Sequence, residues 1–169
     1  AVSPQGSDDF LGGADMDLCM CKTGMETSLE LEMAGVPERK GKVTKTRRPR
    51  ISVRVVVLRE MAPTPLSPSE ALLKDMANLM RTVEVECRVV RAKRTVGRGE
   101  QGQYGVQCLV RVVMLTGEIQ ELFRTSPTED LSAPYWDETF ARRFDQGPEP
   151  AMLAFDIIAP GNDFPGIMG

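Results

Sequence analysis

The sequence predicts a mainly β protein: an antiparallel sandwich with one short helix and an extended N-terminal arm. Three observations lead there. β-Branched residues alternate with polar ones in "ISVRVVVL" (residues 51–58) and "TVEVECRVV" (82–90), the period-two pattern of half-buried strands. Further short apolar runs follow, separated by Pro, Gly, Asp and Ser, the punctuation of strand-to-strand turns. Only one stretch between them reads as helix, which favours sheet packed on sheet.

Residues 1–50 are expected to be the arm and residues 51–169 the sandwich. The arm opens on "SPQGSDDFLGGADMD", rich in Gly, Ser and Asp, and continues through "METSLELEMAG", a weak signal for helix or strand. Such a segment orders mainly against a partner, or stays a disordered terminus. Residues 38–50 follow with Arg39, Lys40, Lys42, Lys45, Arg47, Arg48 and Arg50 against the single acid Glu38. A run of this kind is attracted to an anionic membrane by about 1 kcal/mol per basic side chain. It also suits an acidic protein or RNA, and it can serve simply as a solvated linker paired with the acids before it.

Within the sandwich, the first strand puts Ile51, Val53, Val55 and Val57 on one face. The helix is placed at about Pro68–Met80. Ser67 is an N-cap with Glu70 three residues on, and Leu72, Met76 and Leu79 line one face. The second strand, "TVEVECRVVRAKR", turns Val83, Val85, Cys87 and Val89 one way. The glycine-rich loop "RTVGRGEQGQYG" lacks the Gly-Lys-Ser/Thr ending of a phosphate loop. "VQCLVRVVML", "GEIQELFR", "YWDETFARRF" and "AMLAFDIIA" complete six strands.

Composition excludes whole chemistries. The chain of 169 residues has no histidine, so neither a Ser-His-Asp nor a Cys-His nucleophile pair exists. A zinc site would need four ligands from Cys, Asp and Glu alone. Cys19 and Cys21 are separated by one residue, closer than the usual metal knuckle, and Cys87 and Cys108 fall on apolar strand positions. Burial as small hydrophobes suits the latter pair, and a disulfide between them stays open. The adjacent acids Asp137 and Glu138 lie on one strand and so point to opposite faces. They do not flank one bond, and no enzyme is expected. The formal net charge of −3 argues against a nucleic-acid partner. No apolar run approaches the roughly 18 residues of a membrane span. Position 1 is alanine rather than methionine, which leans towards an imported plastid or mitochondrial protein peripheral to a membrane over a cytoplasmic one.

The stretch from Thr82 to Gly169 resembles a C2 domain, the β-sandwich used for calcium and lipid binding. "VECRVVRAKR" and "GQYGVQCLVRV" are similar to its opening strands. Its Pro-x-Trp-Asn-Glu-x-Phe motif reads here as Pro134, Trp136, Asp137, Glu138 and Phe140, with Asp replacing Asn. Its Leu-x-Phe-x-Val strand reads as Leu153, Phe155 and Ile157. A corner follows at Asn162, Asp163, Phe164, Pro165 and Gly166. The resemblance implies that Trp136 and Phe140 fill the space between two sheets and that a polar neighbour holds the adjacent turn. It does not carry over a calcium site. Calcium takes many oxygen ligands, the loop 98–104 supplies no aspartate, and only Asp163 with Asn162 remains in the later loop. The family has two more strands after the sixth, so an incomplete or rearranged sandwich is expected, with residues 51–58 filling one place.

Together these readings imply a non-catalytic interaction module without a cofactor, a structural or scaffold subunit of a larger membrane-associated complex. The alternative is calcium-independent binding to anionic membranes through Arg39–Arg50, with Arg91, Lys93 and Arg94 on the sandwich.

Overall fold

Eight strands form two four-stranded antiparallel sheets in the computed structural model, which describes residues 9–34, 49–59, 82–93, 105–130, 133–145 and 149–159. They are β1 (Asp9–Asp17), β2 (Thr27–Glu32), β3 (Arg50–Arg59), β4 (Val83–Lys93), β5 (Gln107–Met114), β6 (Ile119–Arg124), β7 (Tyr135–Phe144) and β8 (Pro150–Ala159). One sheet runs β1-β8-β5-β6 and the other β2-β3-β4-β7. The protein is mainly β, and among the described residues the only helical piece is a 3-10 turn, Leu18–Met20. The expected helix at 68–80 lies outside the described residues.

The alternation read from the sequence sets the inner faces. Ile51, Val53, Val55 and Val57 of β3 are buried, as are Val83, Val85, Cys87 and Val89 of β4. They share one hydrophobic cluster with Cys108, Val110 and Val112 of β5 and with Leu153, Phe155 and Ile157 of β8. A sheet with one apolar face is stable in water only when that face is covered, and here each sheet covers the other. Cys87 and Cys108 are free thiols in this core. Burial pushes both thiols well above the ordinary range.

The N-terminal arm is the first correction. Across its described part it is built into both sheets: β1 pairs with β8 from Asp9↔Ala159 to Asp17↔Met152, and β2 pairs with β3. The chain therefore has no domain boundary between residues 50 and 51, because β3 begins at Arg50 and lies between β2 and β4. "DFLGGADMD" has little strand propensity of its own. Pairing with β8 and burial of Leu11, Ala14 and Met16 override it. In "TSLELE" the partly buried Leu29 and Leu31 alternate with exposed Ser28, Glu30 and Glu32, a strand signal too short to separate from weak helix.

This is also the second correction. In place of the incomplete sandwich expected, the described residues form eight strands in two four-stranded sheets, with β1 and β2 supplied from the N-terminal side. Its two sides are tied. On one, Gly13 of β1 and Ala34 exchange backbone hydrogen bonds of 3.0 and 2.7 Å. On the other, Phe123 of β6 stacks on Phe140 of β7 with ring centroids 5.2 Å apart. The β5–β6 turn uses Gly117 at φ 87°, a left-handed conformation natural to glycine.

β8 differs from β3 and β4 in being buried on both faces, which explains its nearly continuous run "LAFDIIA". Its outward Asp156 pairs with Arg111 of β5 at 2.5 Å, both side chains largely buried. A side chain at Gly13 would place its Cβ 2.7 Å from Asp156 Oδ1, so the neighbouring strand is bare where the carboxylate sits. Burial raises the Asp156 pKa, and the Arg111 charge opposes that rise. The Arg111 Nε is buried without a hydrogen-bond partner.

Two outcomes follow from this packing. Arg111→Met leaves Asp156 a buried, unpaired charge and lowers unfolding free energy in urea by about 3–5 kcal/mol. Adding Asp156→Asn recovers most of the loss. Iodoacetamide adds a single group to the native protein, at exposed Cys19. In denaturant it modifies all four cysteines, as intact-mass spectrometry will read.

Candidate binding face

β7 opens on Tyr135, Trp136 and Asp137, and its register against β4 is irregular at this point. Arg91 lies opposite Tyr135 and Val89 opposite Glu138, so Trp136 and Asp137 together face the single residue Val90. That is a β-bulge. It turns on Asp137, the one non-glycine residue at positive φ (56°) among the described residues. Aspartate and asparagine enter this left-handed region more readily than most residues. Asp in place of the Asn of the resembling motif therefore keeps the backbone option open.

The bulge orients four side chains. Trp136 turns inward, 9% exposed, and its Nε1 donates to the carbonyl of Val106 at 3.3 Å. Asp137 turns outward and accepts two hydrogen bonds from Arg88, at 2.6 and 2.7 Å. This bidentate pair holds the Asp137 carboxyl below its usual pKa. Glu138 accepts from the backbone N–H of Ser126 at 2.9 Å, holding the connection from β6 as a polar residue beside the turn was expected to do. Phe140 is half-buried against the core. Pro134, Leu153 and Phe155, the remaining motif residues, are all buried. The adjacent acids Asp137 and Glu138 have separate partners and do not converge.

β4 is itself bulged against β3: Ser52 lies opposite Arg91 and Val53 opposite Val89, leaving Val90 without a partner on that side. Two irregularities thus meet at Val90. Beside them the outer surface of the β2-β3-β4-β7 sheet is hollowed into an open cleft of about 290 Å³, lined by Ser28, Glu30, Ser52, Arg54, Val90, Arg91 and Tyr135 with backbone of its neighbours. The short serines make the floor low, while Arg54, Arg91, Glu30 and Tyr135 wall it. Glu30, Ser52, Arg91 and Tyr135 form one row across all four strands.

Charge on this face is balanced. By register it carries Arg50, Arg54, Arg88, Arg91, Lys93 and Arg143 against Glu30, Glu32, Glu84, Glu86 and Asp137, with Glu26 joined to it through Arg54, six of each sign. Most are paired. Arg50 reaches Glu30 and Glu32 at 3.7 and 3.5 Å, Lys93 reaches Glu30 at 3.7 Å, and Arg54 reaches Glu26 at 3.9 Å. Arg91, exposed in the row, has no acidic partner among the described residues.

Of the basic segment named from the sequence, only Arg50 is described, and it stands in register with Lys93 at the same edge of the sheet. Arg39, Lys40, Lys42, Lys45, Arg47, Arg48 and Arg94 lie outside the described residues, as do Asn162 and Asp163. Among the described residues no cluster of three or more Cys, Asp or Glu is placed to hold a metal ion, and no helix is long and apolar enough to cross a membrane. The cleft itself was missed by sequence reading, since its row joins residues as far apart as Glu30 and Tyr135. The outward serines Ser28 and Ser52 were the only local hint. No protein-family model matches the chain, and a search of the curated proteins finds no significant match.

Asp137 gives this site a pH signature. Its carboxyl titrates lower in the folded chain than in the unfolded one, so its contribution is present above the unfolded value near 3.9 and is lost as pH falls through the folded value. Asp137→Asn keeps the backbone conformation and removes the charge. The variant is less stable than the parent at neutral pH, and thermal melts show the gap closing below about pH 4. A gap unchanged down to pH 2 would contradict the ion pair.

Proposed function

We propose that this chain is a non-catalytic, C2-like interaction module serving as a structural or scaffold subunit of a larger membrane-associated assembly. The observation that carries the reading is the cleft across the β2-β3-β4-β7 sheet, with Tyr135 59% exposed at its end and Arg91 unpaired in its row. Exposed tyrosine and arginine are side chains that anchor protein interfaces. The balanced charge of the face supports a protein partner with discrete charges over a uniform anionic surface. The absence of histidine from the whole sequence weighs against most acid–base and nucleophilic chemistry.

A second reading, calcium-independent binding to anionic membranes, draws on the adjacency of Arg50, the last residue of the basic segment, to Lys93. In that reading the segment 38–50 supplies the attraction and the sheet edge fixes where it leaves the domain. The two readings separate by salt. Exposed charges are screened within about 10 Å at 0.1 M salt, whereas buried apolar contacts are not. Co-purification from native membranes at low and high salt, followed by mass spectrometry, is expected to retain a defined set of proteins at high salt. Recovery of lipid alone, lost as salt rises, would replace the module reading with the electrostatic tether.

A further inference from the structure

The geometry points to a particular occupant of the cleft: an extended, acidic peptide segment of a partner protein, laid across the strands with a carboxylate on Arg91. This rests on the interaction-module reading and specifies the ligand of that same site.

The shape comes first. The row Glu30–Ser52–Arg91–Tyr135 spans three strand spacings, roughly 14 Å at about 4.8 Å each. An extended chain advances about 3.3 Å per residue, so the row matches about four residues of peptide. The volume of about 290 Å³ accommodates one or two side chains and their backbone, below the size of most small-molecule pockets.

The chemistry along the row is graded. At the β2 end, Glu30 is already engaged by Arg50 and Lys93. Ser52 donates a long hydrogen bond of 3.5 Å to Glu30 and keeps acceptor capacity for a peptide N–H. Ser28 adds a second hydroxyl beside it. Arg91 is the cation of this face with no acidic partner among the described residues, and a guanidinium recognises carboxylate through two parallel hydrogen bonds. Arg54 stands on the other wall with only the 3.9 Å contact to Glu26. Tyr135 closes the row with an exposed ring against which an apolar neighbour of the acid can pack.

A lipid surface fits this arrangement less well. Among the described residues six acids share the face with six bases, so this described surface carries no net positive charge of its own to draw a uniformly negative plane. A peptide needs only one acid at one place, and the unpaired Arg91 marks that place.

The test uses the full chain and a fluorescein-labelled peptide of alternating glutamate and serine, with a lysine–serine peptide as counterpart. Vesicles of phosphatidylcholine with phosphatidylserine form the third arm. Anisotropy is expected to rise with the glutamate peptide alone, and amide shifts are expected to gather at Ser28, Ser52, Arg91 and Tyr135. Arg91→Glu lowers the affinity roughly tenfold or more, and Arg91→Lys restores part of it. Lys22→Glu, the same charge change on an exposed residue away from the cleft, leaves binding intact and controls for net charge. The proposal is overturned if the two peptides bind alike, if the glutamate peptide binds without moving these amides, or if it does not bind. It is also overturned if vesicles bind and Arg91→Glu releases them, since the cleft would then belong to lipid. A protein complex that survives high salt beside a failed peptide titration sinks the cleft assignment while leaving the module reading standing.

Discussion

The left-handed backbone at Asp137 is the constraint on which the surrounding structure depends. One residue at φ 56° sits in a bulge where two residues of β7 face one of β4, which bends the strand and breaks the ladder locally. Trp136 and Phe140, four residues apart, share the inward face of β7 by strand alternation. Asp137 turns outward to Arg88, and Glu138 reaches the backbone of Ser126. The hollow beside Val90 opens where this bulge meets the irregularity between β3 and β4.

The two sheets meet different demands on their outer faces. β8 carries Ala154, Asp156 and Ile158 on its outward side, all buried, and it admits a charge there only with Arg111 at its side and a glycine beneath it. Such a pair contributes little net stability, because desolvation offsets most of the attraction. It does fix register, since sliding β8 by one residue against β5 would bury both charges apart. The β2-β3-β4-β7 sheet has the opposite character. Its outer face is a lattice of exposed acids and bases whose pairs are worth little individually. What that lattice provides is solubility and discrimination: most charges satisfy one another, while among the described residues Arg91 is the base of this face with no acidic partner.

That contrast is what links architecture to function here. A fully paired, balanced face repels no partner and selects none. In the proposed reading, an unpaired Arg91 in the cleft is what would make a solvated face selective. Calcium-dependent attraction, the property a C2 resemblance first brings to mind, would require a cluster of aspartates that residues 98–104 do not contain. Selectivity through guanidinium and hydroxyl groups on a sheet needs no metal.

Much of the fold was legible because strand alternation is a local property. Ile51–Val57 and Val83–Val89 announce their buried faces with no reference to anything distant, and the alternation of Leu153, Phe155 and Ile157 was readable from the same period. The lone histidine-free composition likewise narrowed the chemistry by itself. Other features required tertiary structure. "DFLGGADMD" becomes a strand only because β8 offers it a partner, so local propensity misassigned it to an arm. "TSLELE" is settled by an edge that β3 leaves open. The cleft was invisible for the same reason: Glu30, Ser52, Arg91 and Tyr135 lie on four strands and acquire a common row only through register. Sequence encodes what each strand turns inward, because one face must be apolar. Which outward residues become neighbours is decided by pairing between distant segments, and the candidate binding site is made of those neighbours.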